Sequence, residues 1–483
     1  MILREIGELT KLKVLDLAFN ELNDSIPNEI SQLPLLNVFA LYSKKLDGTL
    51  SSSLGNLSSL TRVSISENSF SRSIPLEMRN STNLEEIYMV SNSLPGPIPH
   101  TFGKLMKLIE FHARNLTNLE EIYMSTNFLT RPFPPTFWKL IKLTELHIFH
   151  NELIGSTPSE LGNLKLLHRL FQYYNNLMGL IPSTLGPLPL PSSSINYYSI
   201  ENNKIEGKIS SSICIATSLS FLLLSNNNLI GSLLGCLSND SIGLSVLNLR
   251  MNHLSNLILT KFSLHCSLRT LDLSQNQFEE KLSQSLANCK NLEVLDFGNN
   301  KINDNFLAWL GTLPKLKVLI LRFNNFKGHL DFPMVADLFL KLHILDLSDN
   351  NLAWINLSHN HLMGPIPPTL ENLANLEWLD LSSNKLSGKI PRELSNLAFL
   401  EYLDLSENQL TGHIPQNKQQ STFTNESFCG NLGLYGTPLQ KTSHNDAQPQ
   451  NSTKEYANWF DKRAVGIGYA FGIVIGITIA YIS

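Results

Sequence analysis

Hydrophobic positions along this 483-residue chain recur in one short pattern. In Leu12-Lys-Val-Leu15-Asp-Leu17-Ala-Phe-Asn20-Glu-Leu22, leucine fills positions one, four, six and eleven, and asparagine fills position nine. The spacing begins again at Leu36, Leu60 and Leu84, a step of 24 residues each time. It resumes at Leu119, Leu143, Leu167, Ile195, Leu219, Leu244, Leu268, Leu292, Leu316 and Leu342, and closes with Leu352, Leu376 and Leu400. A fixed period of about 20 to 50 residues signals stacked repeats rather than several globular domains.

Within each unit the alternation Leu15-x-Leu17 points two side chains to one side, which predicts a short strand. Asn20 and its equivalents, among them Asn68, Asn92, Asn127, Asn151, Asn276, Asn324, Asn384 and Asn408, stand where the backbone leaves that strand. A buried amide there can satisfy backbone groups that would otherwise lack partners, so these asparagines are read as structural. Lys44 replaces asparagine in the second unit and marks a local weak point.

Composition follows from the repeat. Leucine supplies 89 residues and asparagine 50, while charged residues are only 16%. The net charge of −4 leaves no basic footprint for nucleic acid. Five cysteines rule out a disulfide-dense miniature scaffold. No phosphate loop, kinase signature or GxSxG elbow occurs, so no enzyme is expected.

Many units continue as LxGxIP, as in Leu362-Met-Gly-Pro-Ile-Pro367, Leu386-Ser-Gly-Lys-Ile-Pro391 and Leu410-Thr-Gly-His-Ile-Pro415. With this tail the chain is identified as a leucine-rich repeat of the plant type. It resembles the extracellular part of plant leucine-rich-repeat receptors. The resemblance implies an α/β-type solenoid with a parallel sheet on its concave face, a second short sheet and a right-handed superhelix. The segment Phe428-Cys-Gly-Asn-Leu-Gly-Leu-Tyr-Gly-Thr-Pro-Leu439 resembles the cap that closes such arrays.

From Ala464 to Ser483 twenty residues carry no charge. At 1.5 Å per residue a helix of that length crosses about 30 Å of hydrocarbon, so a membrane span is expected. Ala464, Gly468, Gly472, Gly476 and Ala480 recur every fourth residue, and a small-residue stripe lets two helices approach closely in lipid. Trp459 precedes the span as an interfacial aromatic. The expected organisation is an array over 1–415, a cap over 416–440, a linker over 441–463 and a span over 464–483.

These features together resemble the plant receptor-like proteins, which have a repeat ectodomain, one span and no kinase. The resemblance implies a plasma-membrane glycoprotein that recognises a peptide or pathogen-derived ligand outside the cell, in defence or development. It also implies signalling through partner receptor kinases. No cofactor or metal is expected. A second reading is a truncated, non-signalling or decoy copy of such a receptor.

Several departures feed that second reading. Met1-Ile-Leu-Arg-Glu-Ile-Gly7 reads as the back half of a unit rather than as a signal peptide, so the front of a longer protein is expected to be missing. Leu108 opens a unit, yet Leu119 opens the next after eleven residues, and Asn118-Leu-Glu-Glu-Ile-Tyr-Met124 copies Asn83-Leu-Glu-Glu-Ile-Tyr-Met89. Leu342 and Leu352 are only ten residues apart. A distorted or skipped unit is expected near 108–118 and near 342–354. In the cap, Tyr435 stands where the family has the cysteine partner of Cys429. Lys462 and Arg463 on the amino side of the span favour a cytoplasmic array, whereas the family resemblance places it outside.

Positions three, five, seven and eight of each unit face outward on the concave side. In the middle units they carry Glu121 and Tyr123; Glu145, His147, Phe149 and His150; Arg169, Phe171, Tyr173 and Tyr174; then Tyr197. Contiguous exposed aromatics mark binding surfaces. The same residues also fit degenerate units whose rings pack on each other. Sequons place candidate glycans at Asn23, Asn56, Asn80, Asn115, Asn239, Asn356, Asn425 and Asn451. Cys266 and Cys289 lie just before successive first leucines, either bridging neighbouring units or staying as buried thiols.

Overall fold

In the computed structural model the described residues are 2–42, 45–102, 118–184, 195–238, 243–256, 261–305, 307–328, 341–347, 349–352, 363–366, 368–372, 378–415 and 423–439. They fall into two compact units, Met1–Leu254 and Ser255–Ser483. Both are leucine-rich-repeat solenoids.

In the first unit ten three-residue strands run parallel and in register: Val14–Asp16, Val38–Ala40, Arg62–Ser64, Glu86–Tyr88, Glu121–Tyr123, Glu145–His147, Arg169–Phe171, Tyr197–Ser199, Phe221–Leu223 and Val246–Asn248. The middle residue of each points into the core, as position four of the pattern requires; Phe39, Ile87, Ile122, Leu146 and Leu170 are fully buried. Six strands of the second unit repeat the arrangement: Thr270–Asp272, Val294–Asp296, Val318–Ile320, Ile344–Asp346, Trp378–Asp380 and Tyr402–Asp404.

The asparagine at position nine joins adjacent turns. Asn151 Nδ2 donates to the carbonyl oxygens of Met124, Ile148 and Phe149, and its Oδ1 accepts from the Leu129 amide. Asn68, Asn227, Asn300 and Asn408 repeat these bonds. The residue before these asparagines is left-handed although it is not glycine: φ is 51° at His150 and Tyr174, 53° at Asn202 and 51° at Asn226. That conformation costs about 1 kcal/mol for an L-residue. The asparagine bonds that follow the turn hold it in place.

Past this turn each LxG segment adds to a second parallel sheet, from Pro95–Gly96 to Asn228–Gly231 in the first unit. Glycine suits the slot that ends these segments, although Arg131 takes the same left-handed φ of 74° there. Gly155 has φ +83°, and a Cβ there would lie 3.1 Å from Pro132 Cβ.

Strand Glu86–Tyr88 pairs directly with Glu121–Tyr123. Residues 103–117 lie outside the described residues, as does Lys44. Likewise Ile344–Asp346 pairs with Trp378–Asp380. Leu352 does not open a unit as the leucine count suggests. It pairs with Gly328 in a strand of the second sheet, two residues after Asn350, whose side chain bonds to Leu321 and Leu347. Leu352 is therefore position eleven of the Leu342 unit. Ten residues cannot complete a turn of the array.

The cap continues the array. Asn431 bonds to Leu405 and Phe428 as a ladder asparagine does, and Gly433–Tyr435 pairs with Gln409–His413. Cys429 keeps its thiol, donating to the Glu426 carbonyl oxygen. No helix among the described residues is long and apolar enough to cross a membrane. The expected span 464–483, with Ala464, Gly468, Gly472, Gly476 and Ala480, lies outside them, as do the linker 441–463 and Asn451.

Candidate functional site

The outward face of the first unit carries a column of aromatic rings. Strands about 4.8 Å apart bring equal positions into ring contact. Tyr88 stacks on Tyr123 with centroids 4.8 Å apart, Tyr123 on His147 at 4.1 Å, and His147 meets Phe171 at 4.3 Å. The column then shifts from position five to position three, because Tyr197 pairs in register with Arg169 while its ring meets Phe171 at 4.6 Å. Phe221 follows at 5.0 Å. Beside it, Phe149 stacks on Tyr173 and His150 on Tyr174, both at 4.4 Å.

Glu145 is the electrostatic centre. Its Oε2 accepts from the Tyr123 hydroxyl at 2.6 Å and lies 3.1 Å from His147 Nε2; its Oε1 is 3.3 Å from Arg169 Nη1. The His147 bond, the Tyr123 bond and the Arg169 charge hold this carboxyl down at about 2 despite partial burial. Upstream, Arg62 pairs with Glu86, and the Tyr88 hydroxyl donates to Glu121. Burial and the bond to Glu145 raise the Tyr123 phenol, so it stays a neutral donor.

The structure thus brings Tyr123, Glu145, His147, Phe149, His150, Arg169, Phe171, Tyr173, Tyr174 and Tyr197 onto one surface. Exposure is a different matter. Phe171 and Tyr197 are each 6% exposed, in one cluster with Phe221, Leu223 and Val246. These two rings are buried rather than open on this surface, because rings one strand apart cover each other's faces. Tyr174, at 49%, is the open ring. His147 and His150 diverge, the first lying under Phe171 and the second turning at its left-handed φ onto Tyr174.

Tyr88 and Phe221 were missed by sequence reasoning. Tyr88 had a signal, since Glu86-Ile-Tyr88 is the string that Glu121-Ile-Tyr123 copies. Phe221 had none beyond its position in the unit.

Cysteines staple the array in two places, Cys266–Cys289 and Cys214–Cys236. The second pair was not singled out in the sequence, although 22 residues separate its members, close to one unit. Among the described sequons, Asn23, Asn56, Asn80 and Asn425 are exposed. Asn115, Asn239 and Asn356 lie outside the described residues.

Family models described as leucine-rich repeats match residues 350–410, 266–309 (two copies), 11–33 and 142–164. Receptor-like protein 34 of Arabidopsis thaliana is 44% identical over 134 residues, which is 27% of this chain and 12% of that protein. The chain carries leucine-rich repeats, and over the matched stretch it is similar to a plant receptor-like protein. The matched stretch spans only about one eighth of that relative's length.

Two solved plant receptor structures are similar over most of this leucine-rich-repeat chain. One is the plant membrane receptor kinase GASSHO1/SCHENGEN3 from Arabidopsis thaliana, in complex with CASPARIAN STRIP INTEGRITY FACTOR 2. It is 30% identical with a TM-score of 0.60, covering 92% of this chain and 58% of that one. The other is the plant peptide hormone receptor RGFR1 in complex with RGF2, 25% identical with a TM-score of 0.62, covering 90% and 80%.

Proposed function

We propose that this leucine-rich-repeat protein is a membrane-anchored receptor-like protein whose concave face binds a peptide or pathogen-derived ligand outside the cell. Signalling then passes through partner receptor kinases, reached through the ectodomain and the 464–483 segment. The observation that carries the reading is the ring column with Glu145 and Arg169 beside it. Aromatic and arginine side chains over an apolar floor are the residue types that dominate binding energy at interfaces. The solved relatives named above hold ligands, which supports the same reading. Two disulfides and four exposed sequons fit folding in an oxidising, glycosylating compartment.

Replacing Arg169, Tyr173 and Tyr174 together by alanine is expected to abolish ligand-induced association with a receptor kinase in cells. An unchanged response sinks the reading. A second reading, a non-signalling or decoy copy, is favoured by the two places where strands pair across an irregular step of the repeat. N-glycosidase treatment separates them in part: a mobility shift supports a lumenal array and a receptor, and no shift supports the damaged form.

A further inference from the structure

The second sheet of the first unit presents an apolar strip to solvent. Its strands Phe128–Arg131, Glu152–Gly155, Asn176–Gly179, Lys204–Gly207 and Asn228–Gly231 lie side by side in that order. The second residue of each is buried, and its neighbours on the strand face outward. Ile154 and Met178 hold the third place on adjacent strands, and Leu180 follows Met178; these three side chains are between 42% and 62% exposed. Leu180 lies across the next turn, where a Cβ on Gly207 would strike its Cδ2. Phe128 and Ile230 add exposed apolar groups at the two ends. Contiguous apolar surface of this kind marks an interface more often than it marks idle surface.

The charges around the strip are ordered. Glu152 and Lys204 hold the first place on the two strands that flank Asn176–Gly179. Arg131 is in register with Leu153 and so stands beside Ile154, and Glu206 holds the third place on the opposite flank. All four are exposed, and none forms an ion pair among the described residues.

We propose that this strip is the contact between two copies of the chain, related by a two-fold axis along strand Asn176–Gly179. A two-fold interface sets one patch against itself. Met178 and Leu180 then meet their own copies at the centre. Each flanking strand faces the opposite flank of the second copy, so Glu152 meets Lys204 and Lys204 meets Glu152. Glu206 of the second copy arrives beside Ile154, within reach of Arg131. An axis lying between Glu152–Gly155 and Asn176–Gly179 would instead set Glu152 against Asn176 and Lys204 against Phe128. An axis along the strands also keeps the two sheets aligned, an arrangement in which sheet faces pack. Apolar burial supplies the affinity and the charges set the register, since exposed ion pairs alone are worth little. No sequon falls on the described residues of these five turns; Asn23, Asn56 and Asn80 lie on earlier turns and Asn425 on a later one. None of the strip's residues belongs to the ring column, so pairing of copies and ligand binding use different faces.

The test uses the full chain carrying Cys429→Ser, held in detergent micelles. Sedimentation velocity between about 0.1 and about 50 μM is expected to show a monomer–dimer equilibrium. Glu152→Lys sets like charges against each other and should raise the dimer Kd at least about tenfold. Adding Lys204→Glu restores opposite charges and should return Kd to within about threefold of native. A monomer throughout, a dimer indifferent to Glu152→Lys, or a double variant no tighter than the single one overturns the proposal. Where Glu152→Lys fails to fold, cysteine pairing decides. Under mild oxidation Met178→Cys is expected to form a disulfide with its own copy. Asn228→Cys, two strands from the axis and so about 19 Å from its copy, is expected to stay monomeric. The opposite pattern, or no bridge from Met178→Cys, overturns the two-fold contact.

Discussion

Glu86 and Glu121 occupy the same register position on neighbouring strands, although about a unit and a half of chain lies between them. The sheet closes across the surplus as if it were absent. Excising residues 107–117 brings the step back to 24 residues and leaves both strands intact. The shortened protein is expected to unfold within a few degrees of the native midpoint, because loop length alone changes stability little. A loss of cooperative unfolding in a thermal scan would show that the surplus is part of the fold.

The asparagine ladder predicts a position-dependent cost. Asn151→Ala leaves three carbonyl oxygens and the Leu129 amide short of partners in the core. Destabilisation of roughly 3 kcal/mol is expected from urea unfolding. Asn20→Ala, at an exposed residue of the first unit, is expected to cost well under half as much.

Acid should weaken the first unit through Glu145. Its carboxyl sits at about 2 in the folded protein, below the ordinary carboxylate range. The contribution is therefore present above about pH 4 and lost as pH falls toward about 2. In Glu145→Gln, the fall in unfolding midpoint between those pH values should be shallower than in the native protein.

Asp380 has the opposite sign. Burial, with Asp404 and Asp346 nearby, pushes its carboxyl up to about 6. Its contribution to stability is complete below about pH 4 and lost as pH rises through about 6. Asp380→Asn keeps an oxygen to accept from the Ser382 amide and removes the charge. It should raise the unfolding midpoint at pH 7 and change it little at pH 4.

Each disulfide should be separately measurable. Closing a loop of 22 residues is worth about 3 kcal/mol in the chain-entropy description, so Cys214→Ser with Cys236→Ser should lose about that much. Intact-mass analysis after alkylation without reductant is expected to show Cys214, Cys236, Cys266 and Cys289 unmodified.

Most of the repeat was legible in the sequence, because each structural slot favours one residue type; the unit start read at Leu352 was not. An inward position nearly always takes an apolar side chain, Gln172 being a buried exception, and the position after the left-handed turn needs an amide that donates and accepts at once. The letters Leu15, Leu17 and Asn20 therefore announce strand, core and turn without any contact information. The outward face was legible only as a set of residues, since nothing in the period says how neighbouring side chains meet.

Register decided the rest. Parallel strands in step turned Tyr88, Tyr123, His147 and Phe171 into one column and made Phe171 and Tyr197 a floor rather than an open surface. Register also made Leu352 the end of a unit rather than a beginning. The sequence by itself determined a leucine-rich-repeat solenoid and the residues on its outer face. Tertiary structure alone decided which rings cover each other, which cysteines pair and where Glu145 finds its partners. Those contacts join residues a whole turn of the array apart, and their geometry depends on strand register rather than on local sequence.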